Sequence, residues 1–252
     1  MNYFKKVTFI AAPIALTASL ITYNLYDSPS AEEKASNLGP QSQNILVTKD
    51  FNVASNLEEM VNSSDLIAVG AYENLDSTWN MSGSPDSSEY VEGRLYNFKV
   101  EETLKGQSDE TIQINHRYSE TIPVEVTSGD EEISEEGILI KEASETEQYT
   151  IENKDPLFIE PEVNEQYIVF LKKGETGNYF AAVEPYLIKF NENNIAELQS
   201  NLINLDEADL SFSEEVGGQE VTVDNDIHVQ VVDNLSGETF NTIKEMITEV
   251  VE

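Results

Sequence analysis

Hydrophobic positions follow a two-residue period through much of the chain. Tyr96, Phe98 and Val100 alternate with Asn97, Lys99 and Glu101, which predicts a strand with one apolar face over 90–104. Ile112, Ile114, His116 and Tyr118 alternate with Gln113, Asn115 and Arg117. That predicts a second strand over 111–118, reached through a turn at Lys105-Gly106. Leu66 to Tyr72 is a continuous apolar run of strand length, the pattern of a buried strand. Tyr167 to Lys172 predicts another strand, with Tyr179 to Val183 returning as its hairpin partner and Tyr186 to Phe190 following. Near the end, Val221–Val223 and 227–232 read as two strands joined by a turn at Asp224-Asn225-Asp226.

Two segments carry a helical period instead. Ser55-Asn56-Leu57-Glu58 has the form of a capping box, and Leu57, Met60 and Val61 then share one face. Ser236 is a candidate cap for a C-terminal helix over about 237–251, striped by Phe240, Ile243, Ile247 and Val250. Helices do not alternate with strands, which argues against a parallel α/β sheet. The pattern predicts a mainly β fold with flanking helices (α+β), built on a small antiparallel β-barrel or twisted sheet. Residues 75–89, which hold Trp79, read as a loop. Residues 119–156 read as a long acidic insertion, an exposed excursion with short β-like pieces at 122–126, 138–140 and 149–151. The pattern over 195–216 assigns no element.

Ahead of this domain, about 55–252, the chain changes character. Lys5 and Lys6 precede an uncharged, largely apolar run over 7–26 that Asp27 ends. A basic start before an apolar run is the form of a secretory signal, and the run is also near spanning length. Residues 1–30 are therefore expected to be a signal peptide or membrane anchor, with 7–26 the candidate anchor. Lysines before the run and acids after it place the remainder outside the cell. Residues 31–54 read as a polar tether, with 45–48 a candidate strand.

Charge narrows the choice of partner. The chain has 48 Asp+Glu against 14 Lys+Arg, a formal net charge of −34. Such a surface repels nucleic acid and anionic lipid and is suited to salty or cation-rich surroundings. There is no cysteine, hence neither a disulfide nor a lipidated cysteine.

The order Ser64-Asp65-Leu66-Ile67-Ala68-Val69-Gly70, then Phe98 to Gly106, then Ile112 and Ile114, then Tyr167-Ile168-Val169-Phe170-Leu171 resembles exported proteins of bacilli and related Gram-positive bacteria. Their cores are similar to the OB-like barrel of the tissue-inhibitor-of-metalloproteinase and netrin-like superfamily. The resemblance spans about 55–190, with a gap across the acidic segment. It implies an OB-like fold and a binding role. Val163-Asn164-Glu165 stands where a glycine is usual before the last of these strands. The animal inhibitors act through a disulfide-pinned N-terminal cysteine, so their mechanism does not carry over and no functional residue transfers.

Catalytic chemistry finds little support in the residues. A Ser-His-Asp triad would need His116 or His228, and no G-x-S-x-G elbow presents a serine. His116 is in phase with Ile112 and Ile114 and reads as the end of a core face. His228 is out of phase with its apolar neighbours and reads as exposed. Two separated histidines without a thiolate do not make a zinc site. No glycine-rich loop cradles a phosphate, so no cofactor is expected. Asp224-Asn225-Asp226 and the run Asp130-Glu131-Glu132 with Glu135-Glu136 are candidates for weak divalent-cation binding without EF-hand form. Trp79, Tyr90 and Tyr118 are aromatics that either stack on a sugar or fill a rim.

The sequence thus leads to an expectation of an exported, non-enzymatic binding module at the outer membrane face or in the cell wall. Its partner would be a protein or wall component, met by 75–89 and 119–156. A carbohydrate-acting hydrolase with paired carboxylates and a cation-stabilised structural element remain alternatives.

Overall fold

Strand formation follows the period-two segments, and their register decides which residues share a core. The computed structural model describes residues 24–25, 42–84, 89–127, 132–133, 139–141 and 146–252. These described residues are mainly β with two α-helices. The strands are β1 (Asn24–Leu25), β2 (Gln43–Thr48), β3 (Leu66–Asn80), β4 (Val91–Lys105), β5 (Thr111–Thr127), β6 (Glu132–Ile133), β7 (Leu139–Lys141), β8 (Thr146–Lys154), β9 (Gln166–Lys173), β10 (Tyr179–Ala181), β11 (Leu187–Phe190), β12 (Ala196–Gln199), β13 (Ser211–Val216) and β14 (Gln219–Asp226). The helices are α1 (Leu57–Ser63) and α2 (Phe240–Val251).

The larger sheet runs β10-β5-β4-β3-β9-β11-β12, with β8 paired to β5. β10 pairs with β5 in parallel and with β9 antiparallel. The hydrogen-bonded path β3-β4-β5-β10-β9 therefore returns to β3. Leu66, Ala68, Tyr72, Tyr96, Phe98, Ile112, Ile114, Tyr167, Val169 and Leu171 fill one core bordered by these strands. The opposite sides of β3 and β9, through Ile67, Val69, Ile168 and Phe170, join a second core beneath α1 and α2. That is why both strands read as unbroken apolar runs. At Gly70 in β3 an added Cβ would lie 2.0 Å from the Lys99 carbonyl oxygen of β4; only glycine permits so close an approach.

Several elements correct the sequence reading. β3 continues to Asn80, so the first part of the expected 75–89 loop, residues 75–80, is strand paired with β4. Its outer half is exposed on both faces, and polar residues there gave no period to read. The candidate strand at 45–48 is present as Gln43–Thr48, but instead of lying in a tether it belongs to a second sheet of order β1-β2-β14-β13. Of the 119–156 insertion, residues 119–127 and 146–154 are not a separate excursion. β5 runs unbroken to Thr127 and pairs with β8, and Ile122, Val124, Val126 and Ile151 form a third core with Ile45, Val47, Val221 and Val223 of the second sheet. Asp224-Asn225-Asp226 is the end of β14 rather than a turn. The turn sits at Gly217-Gly218, where both residues have positive φ. The helix caps also move. Asn56 caps α1 by accepting from Glu59 N, and Thr239 caps α2, while Ser236 Oγ accepts from Leu198 N.

Among the described residues no helix is long and apolar enough to cross a membrane. Asn24 and Leu25, inside the 7–26 run, pair with Leu46 and Ile45. The rest of that run and most of the first 41 residues lie outside the described residues, as do Asp130, Glu131, Glu135 and Glu136.

Candidate functional site

A change of face within β5 creates the site. Glu92 pairs with Ser119 but Gly93 pairs with Arg117, so Tyr118 is an extra residue on β5. A bulge of this kind re-aims the side chains beyond it. Before it, Ile112 and Ile114 enter the first core; after it, Ile122, Val124 and Val126 enter the third. At the crossing, Arg117 and Glu120 meet at 2.7 Å.

Lys49, just past β2, completes the joint. Its Nζ lies 3.4 Å from Glu120 and 3.5 Å from Asp155, and Arg117 Nε is 3.2 Å from Asp155. Glu120 and Asp155 are buried, so each depends on these cations. Asn153 Nδ2 donates to Glu120, and Asn225 Nδ2 donates to the Leu210 carbonyl oxygen. Asn153 and Asn225 are also bonded to one another. This polar layer ties β5 and β8 to the second sheet.

Beside it opens a cleft of about 320 Å³ lined by Lys49 to Asn52, by Asn115, His116 and Arg117, by Asp155, Leu157 and Phe158, and by residues 181–184 with Tyr186. The volume is within the range of small-molecule sites. Asp50, Asn52 and Ala181 are exposed, while Phe51, Phe158 and Tyr186 are half-buried. Glu184 is buried in the wall, its backbone bonded to Asn52 and Ala54 and its carboxylate accepting from Ser200 Oγ at 2.5 Å. Burial pushes the Glu184 carboxyl up to about 7. The Ser200 hydroxyl opposes that rise and the charge of Asp155 adds to it.

His116 is held rather than poised. Its Nε2 is 3.1 Å from the Tyr72 hydroxyl and its Nδ1 is 2.8 Å from the Tyr186 hydroxyl. Burial lowers its pKa to about 3, so the ring is neutral at physiological pH. One nitrogen donates and the other accepts, and neither is left to activate a serine. Burial pushes both tyrosine hydroxyls well above their ordinary value. The placement at the end of a core face agrees with the period of β5.

The other sequence candidates are dispersed. His228 is exposed and pairs with Asp226 at 2.6 Å. Asn225 points into the polar layer while Asp224 and Asp226 alternate away from it. Among the described residues no group of three or more His, Asp or Glu could hold a metal ion. Trp79 Nε1 donates to Asn115 Oδ1 at 2.6 Å, and Arg94 lies over the Tyr118 ring with its carbon 3.2 Å from the centroid. These aromatics thus have intramolecular partners, and Tyr90 is half-buried. Lys49, Asp155 and Glu184 were not singled out from the sequence as site residues. They stand far apart in the chain, and no local spacing marks them.

Compared with protein families, with curated proteins and with solved structures, the chain finds no match in any of the three.

Proposed function

We propose that the chain is an exported, non-enzymatic binding module at the outer face of the cytoplasmic membrane or in the wall. An OB-like barrel is its scaffold and the cleft beside β5 its ligand site. The cleft carries this reading: a concavity where charged and aromatic side chains from four separate stretches converge, with the nearby histidine already committed to two tyrosines. The five-strand circuit supports the OB-like part, because OB folds are five-stranded Greek-key barrels that bind ligands on the face of strands two and three. The corresponding strands are β4 and β5, and β5 supplies Asn115, His116 and Arg117 to the cleft. The basic n-region and apolar run support export.

A photo-crosslinking amino acid in place of Phe158, at the cleft rim, tests the proposal in the living cells that export the protein. Glu249, exposed on α2, is the control position. A protein or wall fragment captured from 158 and not from 249 is expected. No adduct at 158, or equal capture at both, would sink the proposal.

One observation favours a second reading, hydrolysis of a glycan by paired carboxylates. Asp155 and Glu184 both line the cleft, and Glu184 titrates near 7, where a general acid works. Against it, the Asp155 carboxylate is already engaged by Lys49, Arg117 and Leu157 N. Release of reducing ends from wall polysaccharide by the wild type, lost in Glu184→Gln, would favour the hydrolase. No release by the wild type removes it.

A further inference from the structure

The three carboxylates buried among the described residues differ in one respect. Glu120 and Asp155 each have both Lys49 and Arg117 within ion-pairing distance. Glu184, 7% exposed, has the Ser200 hydroxyl and, among the described residues, no cationic partner. A buried carboxylate without a counter-charge is unfavourable, yet this one lines an open cleft. The charged groups around it are Asp50, Asp155, Lys49 and Arg117, with Glu120 behind them and neutral His116 and Tyr186 alongside. They leave no positive surplus to hold an anion.

We propose that the cleft takes an organic cation, the ammonium group of a lysine side chain on a protein partner, which gives Glu184 the counter-charge its own fold lacks. This rests on the binding-module reading and names the ligand's chemistry. The rings of Phe51, Phe158 and Tyr186 line the same cleft, and aromatic faces attract ammonium groups. They are poor company for a hydrated metal ion, and the described residues offer no metal-ligating group of three. The net charge of −34 draws a basic partner toward the surface. Below about pH 7 the arriving cation has to displace the proton that burial keeps on Glu184.

The test is an NMR titration of the full chain with lysine blocked at both ends as N-acetyl and methylamide. The matching norleucine compound, of similar length and uncharged, is the comparison. The lysine probe is expected to shift the amide signals of 49–52, of Asp155, Leu157 and Phe158, and of 182–184 with Tyr186, and the norleucine probe to bind at least tenfold more weakly. Glu184→Gln is expected to weaken lysine binding at least tenfold. In the wild type, affinity at pH 5.5 should be about 30-fold below that at pH 8, following the ionised fraction of a group titrating near 7. The lysine amine stays protonated across that range. Equal binding of the two probes, or no effect of the Glu184 change or of pH, overturns the cation and leaves the binding cleft standing. Silence from both probes also overturns it, and the crosslinking at 158 then decides the binding module on its own.

Discussion

At the scale of single residues, Glu184 and His116 are held in their neutral forms by the same force with opposite consequences for stability. Desolvation raises the Glu184 carboxyl from 4.5 to about 7 and lowers the His116 imidazole from 6.5 to about 3. Below about pH 4.5 Glu184 is protonated folded and unfolded, and its contribution is fully present. Between about 4.5 and 7 the unfolded chain ionises while the folded one keeps its proton, so stability falls as pH rises through that window. The full effect is about 3 kcal/mol, from 1.36 kcal/mol per pKa unit. His116 works the other way, its contribution being present above 6.5 and lost as pH falls toward 3. Glu184→Gln should remove the alkaline-side loss alone. Urea unfolding at pH 5 and pH 8 is expected to show a wild-type difference that exceeds the variant's by about 2 kcal/mol. Parallel pH profiles would mean that Glu184 is solvated.

At the scale of elements, local pattern determines much of the architecture. The periods of β4, β5 and β9, the β9–β10 hairpin and the stripe of α2 follow from neighbours in sequence. What failed depended on partners far along the chain. Apart from Leu75 and Trp79 the outer half of β3 is polar, with no two-residue period, and its backbone pairing to β4 makes it a strand. In β14 the acids drew attention to a turn, although Val221, Val223 and Asn225 are buried in strict alternation. The density of acids in 119–156 likewise masked the burial of Ile122, Val124 and Val126: the β-like piece at 122–126 is strand as expected, but its even spacing belongs to a covered face rather than an exposed excursion. The cleft was illegible for the same reason: Lys49, Arg117, Asp155 and Glu184 stand far apart in the chain and line one cleft only in the fold. Ile122 tests the corrected element. It is fully buried between β5, β8 and the second sheet, so Ile122→Ala should cost about 2–5 kcal/mol. A cost under about 0.5 kcal/mol in chemical denaturation is what a surface substitution gives, and would restore the exposed excursion.

For the whole molecule the governing quantity is 48 acids against 14 basic residues. The described buried acids account for little of that excess, because Glu120 and Asp155 are paired and Glu184 holds a proton near neutrality. Most of the charge is therefore spread over the surface, where it repels itself and opposes compaction. Repulsion of that kind is screened by any salt according to ionic strength, with the Debye length shrinking to about 3 Å at 1 M. A specific calcium site would behave differently, adding stability through binding to the folded state alone. Among the described residues Asp226 is paired with His228, Asn225 turns inward, and no three acids converge. Raising sodium chloride from 20 mM to 0.5 M should thus lift Tm by a few degrees, since about 1 kcal/mol moves a domain of this size by roughly 2–4 °C. Calcium chloride at matched ionic strength should give the same rise. A larger rise with calcium, saturating in the millimolar range, would mean that ligands outside the described residues build a true site. The cation-stabilised reading would then displace general screening as the account of the acidity.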